Sequence, residues 1–570
     1  MARKPQSSRL KPKAQVSSKR SSKHSPTKTP GSAQAGGVDY DVDYIVIGSG
    51  FGGAVAALRL AQKGWRVVVL EKGDRYAPTD LPATNWNLRR WLWAPRLGLR
   101  GILRITPLRH VLSLGGAGVG GGSLVYAAVL MEPGDEFFQH PVWAKLAPWR
   151  KELAPHYAAA RAMLGVAVTP RLAEGDELLR KLARQDGLEK GFAPNPVGIY
   201  FGPPGKTVKD PYFGGKGPHR AGCTFCGACM VGCRVGAKNS LDKNYLHLAE
   251  RLGVVILPGR EAVGLGPLAG PTPQTSRGQF GWAVTHRSSR GPLPGLNRKE
   301  TLTARGVVTA GGVIGTLKLL LAMGRGPLAG LSPRLGQGLL TNNESLLGVT
   351  HWRGNLDCSQ GVAIGATLRL DASTTLQAVR YPRGSGFWRV LAWPLATSPW
   401  LAVRLAQLGL QWLRHPWANL RALLVWDWAR RTQILMTMRT LHSTLHARLG
   451  WFGLSSRLGS GPAPTPFMPV AYAMAGRFAR LSGGQPGALI SETLLGMSTT
   501  AHLMGGAAIG GSPNTGVVDH RLRVFGYDNL WVCDGSVIPA NPGVNPSLTI
   551  AALAERAMAL VEKKEQEDYP

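Results

Sequence analysis

Apolar residues near the start of the ordered-looking sequence fall in two short runs, Tyr44–Ile47 and Trp65–Leu70. Between them Val55, Leu58 and Ala61 recur at helical spacing, and Gly64 closes the segment. The pattern predicts strand, helix and strand in about thirty residues, one βαβ half-unit of a doubly wound sheet. Val254–Val263, Arg305–Thr309 and Leu530–Cys533 read as further strands and Gly315–Met323 as a helix. The stretch leading to Arg104 reads as loop.

Residues 385–435 follow a different pattern. Trp388, Trp393, Trp400, Trp412, Trp417, Trp426 and Trp428 are interleaved with leucines and with Arg389, Arg404, Arg414, Arg421, Arg430 and Arg431. No uncharged run reaches the roughly 20 residues that span a bilayer. The segment predicts either a membrane-facing element that lies in the interface, or a lid over a lipid pocket. The alternative is a buried helical pair whose tryptophans fill core.

Charge adds to this picture. The chain of 570 residues carries a formal +34, of which nine Lys/Arg and no acids lie in residues 1–37, leaving 34 − 9 = +25 for the rest. That excess favours acidic surfaces, anionic membrane rather than specific nucleic acid in the absence of an aromatic-plus-basic reading module, with a basic compositional bias or a solvated surface as the alternative. Residues 1–37 are too poor in large apolar groups to offset their ordering entropy, which predicts a disordered basic tail. No apolar stretch follows those basic residues, so the expected location is cytoplasmic, with peripheral membrane contact and reduced cysteines.

The chemistry is carried by three constellations. Gly48, Ser49, Gly50, Phe51, Gly52 and Gly53 sit between the first strand and helix. There Gly48 permits a tight turn, Gly50 admits a diphosphate, and Gly53 lets helix and strand approach. Glu71 ends the second strand, placed for ribose hydroxyls and against a 2′-phosphate. The run containing Gly115, Gly120, Gly121, Gly122 and Ser123 offers a wall without side chains for a flat ring, and Asp534 and Gly535 follow a strand where a ribityl chain would pass. Near the C-terminus, His502 and Asn545 each sit in a glycine-rich setting, an imidazole to accept an alcohol proton and an amide to hold the same oxygen.

These stretches resemble the glucose–methanol–choline (GMC) oxidoreductase family, and within it the cholesterol oxidase-like branch. The matching segments are Tyr44–Gly53 with Glu71, Gly118–Val125, Val307–Gly315, His502–Gly506 and Asp534–Pro546. The resemblance implies a mixed α/β fold, with a discontinuous Rossmann-like FAD-binding domain and a substrate domain built on a mixed sheet covered by helices. The corresponding boundaries are 40–130, 236–340 and 501–570 for the FAD-binding domain, and 131–235 and 341–500 for the substrate domain. It implies FAD as cofactor and a lipid-like alcohol as substrate, first of all a 3β-hydroxysteroid oxidised to the ketone, with oxygen or an electron carrier as acceptor. Long-chain or terpenoid alcohols are the alternative substrates, and a lipid-binding flavoprotein without turnover is the alternative class. His502 and Asn545 fall on the family's active-site pair. Asp534, Gly535, Asn545 and Pro546 fall on its flavin contacts, and Val263 falls near adenine. Glu344 is the candidate acid for a steroid double-bond shift. Where the family has Asn, this chain has Tyr126.

Cys223, Cys226, Cys229 and Cys233 have the ferredoxin-like spacing C-x₂-C-x₂-C-x₃-C, although Arg234 stands where proline is usual. They predict an iron–sulfur cluster or a zinc site, with packed thiols as the alternative. Cys358 or Cys533 could complete a ligand set.

Overall fold

The computed structural model describes residues 39–270, 277–291, 293–451 and 453–565; the basic tail expected over 1–37 lies outside them. Strand Val42–Ile47 is buried along nearly its whole length and feeds the helix Phe51–Gln62, which ends before Gly64 and returns as strand Val67–Glu71. The expected half-unit therefore forms. Around it a seven-stranded sheet assembles in the order Val255–Pro258, Val67–Glu71, Val42–Ile47, Lys299–Thr309, Trp282–Ser288 and Arg260–Pro267, with Leu530–Val532 also pairing Lys299–Thr309. The strands around the first helix are parallel and those beyond Lys299–Thr309 antiparallel, so the sheet is mixed. The single strand expected over 254–263 is broken at Gly259, whose φ of +72° is open to glycine. Val263 consequently falls inside the next strand, at a register shift between Ala262 and Gly264.

A second seven-stranded sheet, antiparallel throughout, runs in the order Ala392–Pro394, Gln485–Leu489, Glu344–Thr350, Thr432–Arg439, Thr374–Val379, Ile364–Arg369 and Phe192–Pro194. Side chains alternate across its faces. Leu347, Val349, Leu376, Ala378 and Leu435 pack with Leu179, Leu182, Met474 and Phe478, which come from the covering helices Glu174–Gln185 and Pro469–Ser482. Leu346, Gly348, Thr350, Val379, Ile434 and Met436 line a cavity. The stretch read as loop before Arg104 contains the short helix Leu88–Trp91. Arg104 itself lies in strand Leu103–Pro107, which pairs Val111–Gly116. That strand in turn pairs Ser498–Thr500, which carries the chain to His502 at the meeting of the two sheets.

Among the described residues no helix is long and apolar enough to cross a membrane. The Trp/Arg segment divides instead. Trp388 and Trp428 are core residues at 6% and 5% exposure, whereas Trp400, Trp417 and Trp426 are 74%, 72% and 91% exposed. Neither alternative of the sequence reading covers all of them.

Candidate active site

One cavity of about 1240 Å³ takes lining from both sheets. Pockets for a single drug-sized ligand run to about 300–1,000 Å³, so there is room for more than one such group. On one side the lining is Gly48, Ser49, Gly50, Phe51 and Gly52 with Glu71, Gly115, Gly121 and Gly122. A Cβ on Gly48 would lie 2.3 Å from the Ala310 carbonyl oxygen, and one on Gly52 only 1.6 Å from that of Cys533. Both glycines are required by backbone packing. Gly50 differs: a Cβ there meets nothing within 4 Å, because it faces the cavity. The helix behind it has neither a side-chain cap nor an acid in its first turn, so its free N–H groups and partial positive charge are left for a ligand anion. Glu71 accepts from Ser49 N (3.1 Å), Ser49 Oγ (2.7 Å) and Gly73 N (2.8 Å), which fixes its carboxylate at the end of the strand.

Cations gather beside this cradle. Lys72, Arg96, Arg104, Arg260, Arg287, Lys318 and Arg325 all line the cavity, against Glu71 and Glu261 nearby. Arg104 is the notable one. Its Nε is buried without a hydrogen-bond partner among the described residues, and burial draws its guanidinium below the usual arginine range. Burial, followed by repulsion from Arg104, pushes Lys72 down to about 7. A bound diphosphate would relieve both. Sequence reading missed Arg104 because it sat in an apparent loop; the glycine-rich stretch it pairs with was the available signal. Asp534 caps the turn Gly535–Val537 through Ser536 N (2.9 Å) and also accepts from Thr316 Oγ1 (2.5 Å), with burial raising its carboxyl. Val263 reaches the cavity because the register shift turns its side chain. The glycine cradle, the uncapped helix and the unpartnered cation fit an elongated diphosphate cofactor.

His502, Glu344 and Asn545 converge between the two halves. His502 Nδ1 donates to Glu344, whose other carboxylate oxygen accepts from Ala501 N at 2.9 Å. Asn545 Nδ2 lies 3.1 Å from His502 Nε2, and the buried Asn545 Oδ1 has no partner among the described residues. With Nδ1–H held by a carboxylate, Nε2 is the ring nitrogen left for the cavity, beside the Asn545 amide. A hydroxyl entering there meets both a proton acceptor and an amide. Beyond it the wall is apolar, formed by Leu346, Ile364, Val379, Ile434, Met436, Trp388 and Trp428. Tyr126 also lines the cavity; its hydroxyl donates to Asn239 O at 3.1 Å, so its ring rather than its polar end meets a ligand.

Comparisons with known proteins agree with this geometry. A family model described as GMC oxidoreductase matches residues 418–554, and one described as FAD dependent oxidoreductase matches 43–99. The chain is 42% identical to a cholesterol oxidase of Mycobacterium tuberculosis, covering 93% of this chain and 92% of that one. It belongs to the GMC oxidoreductase family. A cholesterol oxidase of Acinetobacter baumannii is 39% identical over 92% of this chain and 95% of its own length. A long-chain-alcohol oxidase of Arabidopsis thaliana is 25% identical over 90% and 66%. The crystal structure of pyridoxine 4-oxidase from Mesorbium loti superposes with a TM-score of 0.57 at 16% identity, covering 91% of this chain and 98% of that one, which shows a shared fold. As a GMC oxidoreductase the protein is an FAD-dependent alcohol oxidoreductase.

Gly53 lies where helix and strand approach, while Gly120 and Ser123, expected at the cofactor of this GMC oxidoreductase, stand behind the wall. Gly53 packs against Gly48 O, Gly120 N donates to Ser49 Oγ, and Ser123 Oγ donates to Gly120 O (2.7 Å) and accepts from Leu241 N (3.0 Å). None of the three lines the cavity; they support residues that do. Among the described residues no three His, Cys, Asp or Glu side chains are placed to hold a metal ion. Cys223 and Cys229 are buried in an apolar cluster, Cys226 is exposed and Cys233 half-buried. Burial pushes the Cys223 and Cys229 thiols up to about 12 and about 11, as expected of packed thiols. Cys358 and Cys533 are buried as well.

Sequence reading also passed over Glu492. It is fully buried beside the dyad, accepts from Leu346 N (2.8 Å) and Ser345 Oγ (3.2 Å), and burial raises it to about 8, with the Glu344 charge adding to the effect. Because the folded value lies above the ordinary 4.5, the unfolded chain ionises first. Its contribution to stability is therefore complete below about 4.5 and is lost as pH rises towards about 8. Glu492→Gln should match wild type near pH 4.5 and exceed it by about a few kcal/mol at the upper end of that window. Urea unfolding midpoints across the range check this; parallel curves for the two proteins would refute it.

Proposed function

We propose that the protein oxidises the 3β-hydroxyl of a sterol to the ketone, with molecular oxygen as the final electron acceptor. The observation carrying this reading is the single cavity in which His502, Glu344 and Asn545 stand between a glycine cradle and a broad apolar wall. That wall suits a rigid hydrocarbon skeleton, and two relatives at 42% and 39% identity are named cholesterol oxidase. FAD held in the cradle supplies the hydride acceptor. Gly50, the first helical N–H groups and Arg104 would hold its diphosphate, Glu71 a ribose, Val263 the adenine, and Asp534, Gly535 and Pro546 the flavin end. His502 Nε2 takes the hydroxyl proton while the Asn545 amide fixes the oxygen, and Glu344 keeps the ring oriented and stabilises its charge. Glu344 also lines the cavity, which makes it the carboxylate to carry a proton between steroid carbons in a double-bond shift. In domain terms, 40–130, 236–340 and 501–570 form the FAD-binding part and the remainder from 131 to 500 the substrate part. The enzyme would work as a cytoplasmic protein in peripheral contact with membrane.

The purified yellow protein should bleach on anaerobic addition of a 3β-hydroxysterol and recover its colour on admitting air. Bleaching by long-chain primary alcohols but not by sterols would transfer the assignment to that substrate class, represented by the 25%-identical relative.

A further inference from the structure

Helices Leu401–Arg414 and Pro416–Leu424 form a hairpin whose polarity is inverted. A helix on the surface of a water-soluble domain buries its apolar stripe and exposes its charges. Here Arg404, Leu408 and Asn419 are the buried residues. Arg404 is anchored through Nη1 to Pro399 O (2.7 Å) and Nη2 to Leu494 O (3.0 Å), over the ring of Phe467, while Asn419 Nδ2 donates to Gln411 O at 2.9 Å. The outward side carries Trp400, Leu405, Leu413, Trp417, Leu424 and Trp426, exposed between 51% and 91%. Such a contiguous apolar surface marks an interaction site.

Charge decides what covers it. From residue 372 to 426 the sequence contains no Asp or Glu, and Arg414 and Arg421 are exposed beside the tryptophans, without ion-pair partners among the described residues. A second copy of this surface would bring arginine against arginine. Tryptophan and arginine together suit the headgroup region of an anionic bilayer, where the rings lie at the boundary and the guanidinium groups meet phosphate. The chain enters and leaves the hairpin near Trp388 and Trp428, and both line the substrate cavity.

We propose that this hairpin is the membrane-docking element, seating its tryptophan face in the interface of an anionic lipid bilayer. A bilayer-dissolved sterol gives such docking its purpose, so the proposal rests on that reading of the substrate. The test is nevertheless made without sterol. Full-length flavoprotein is mixed with vesicles of phosphatidylcholine alone, or of phosphatidylcholine with phosphatidylglycerol, and binding is read by co-sedimentation and by the shift of tryptophan emission. Wild type should bind the anionic vesicles, bind the neutral ones more weakly, and release with salt. The triple variant Trp400→Ser, Trp417→Ser, Trp426→Ser should bind about tenfold or more weakly, with its thermal midpoint and its turnover of detergent-dispersed alcohol unchanged. Failure of wild type to bind either vesicle overturns the proposal. So does equal binding by the triple variant, which would assign the attraction to the basic residues 1–37. A wild-type dimer that the variant converts to monomer, with no vesicle binding by either, would overturn it in favour of a second copy. If vesicles bind as expected but sterols leave the flavin oxidised, the substrate reading has failed and the docking stands.

Discussion

Replacing His502 by alanine should leave a folded yellow protein whose turnover falls by about 10²–10⁴, the range that a positioned general base contributes. The geometry makes the imidazole's task specific. Its Nδ1 is committed to Glu344, a residue 158 positions earlier, so Nε2 is the atom left for a substrate proton, 3.1 Å from Asn545 Nδ2. Among the described residues the imidazole bonds Glu344 and Asn545 and no residue of the glycine cradle, so flavin content should stay near one per chain. Glu344→Gln should reduce turnover less than His502→Ala, because the amide can still hold the ring but cannot stabilise its positive charge. Turnover and flavin content of the two variants, measured side by side, check this order. Wild-type turnover in His502→Ala would remove the imidazole from the chemistry, whatever its place in the cavity.

The residues of that dyad were legible one at a time but not as a pair. Glu344 was singled out for a proton shift in the steroid, and nothing in its surroundings in sequence announced a bond to His502. That bond depends on Glu344–Thr350 meeting Ser498–Thr500, where Ser498 Oγ donates to the Glu344 carbonyl. The glycine fingerprint was readable because its physics is local: a strand, a turn and a helix start within a dozen residues. Val263 lines the cavity although its strand was misjudged, since an extra residue at a register shift leaves no mark on hydrophobic periodicity. Arg104 was missed for the converse reason. Its strand is short and half-buried, and its value lies in what it does not bond. Gly120 and Ser123 show the limit of motif reading: a glycine-rich run has two sides, and only contacts such as Ser123 to Leu241 tell which side faces a ligand. The tryptophans divide for a similar reason. Composition marked the segment as unusual, but the partition into Trp388 and Trp428 inside and Trp400, Trp417 and Trp426 outside depends on where Arg404 is anchored.

The two neighbouring glycines of the fingerprint should respond to substitution in opposite ways. In Gly52→Ala the new methyl would fall 1.6 Å from the Cys533 carbonyl oxygen, which is backbone and cannot step aside as a side chain would. Helix and strand must part, and the loss should reach or pass the ~1–3 kcal/mol usual for an overpacked core. The apoprotein itself should melt earlier. In Gly50→Leu the backbone, at φ −71° and ψ −168°, is comfortable for any residue, and the side chain enters open space. The apoprotein should therefore melt as wild type does. What is lost is the approach of a diphosphate to the helix N-terminus. Forfeiting two charge-assisted hydrogen bonds, at about 1.5–3 kcal/mol each, should weaken flavin binding by about 100-fold or more. Paired measurements of apoprotein melting and of flavin titration distinguish the two glycines: one supports the fold, the other admits the cofactor. A Gly50→Leu protein that kept full flavin affinity would mean that the diphosphate lies elsewhere in the cavity, with Arg104 and Lys72 the first groups to examine as its seat.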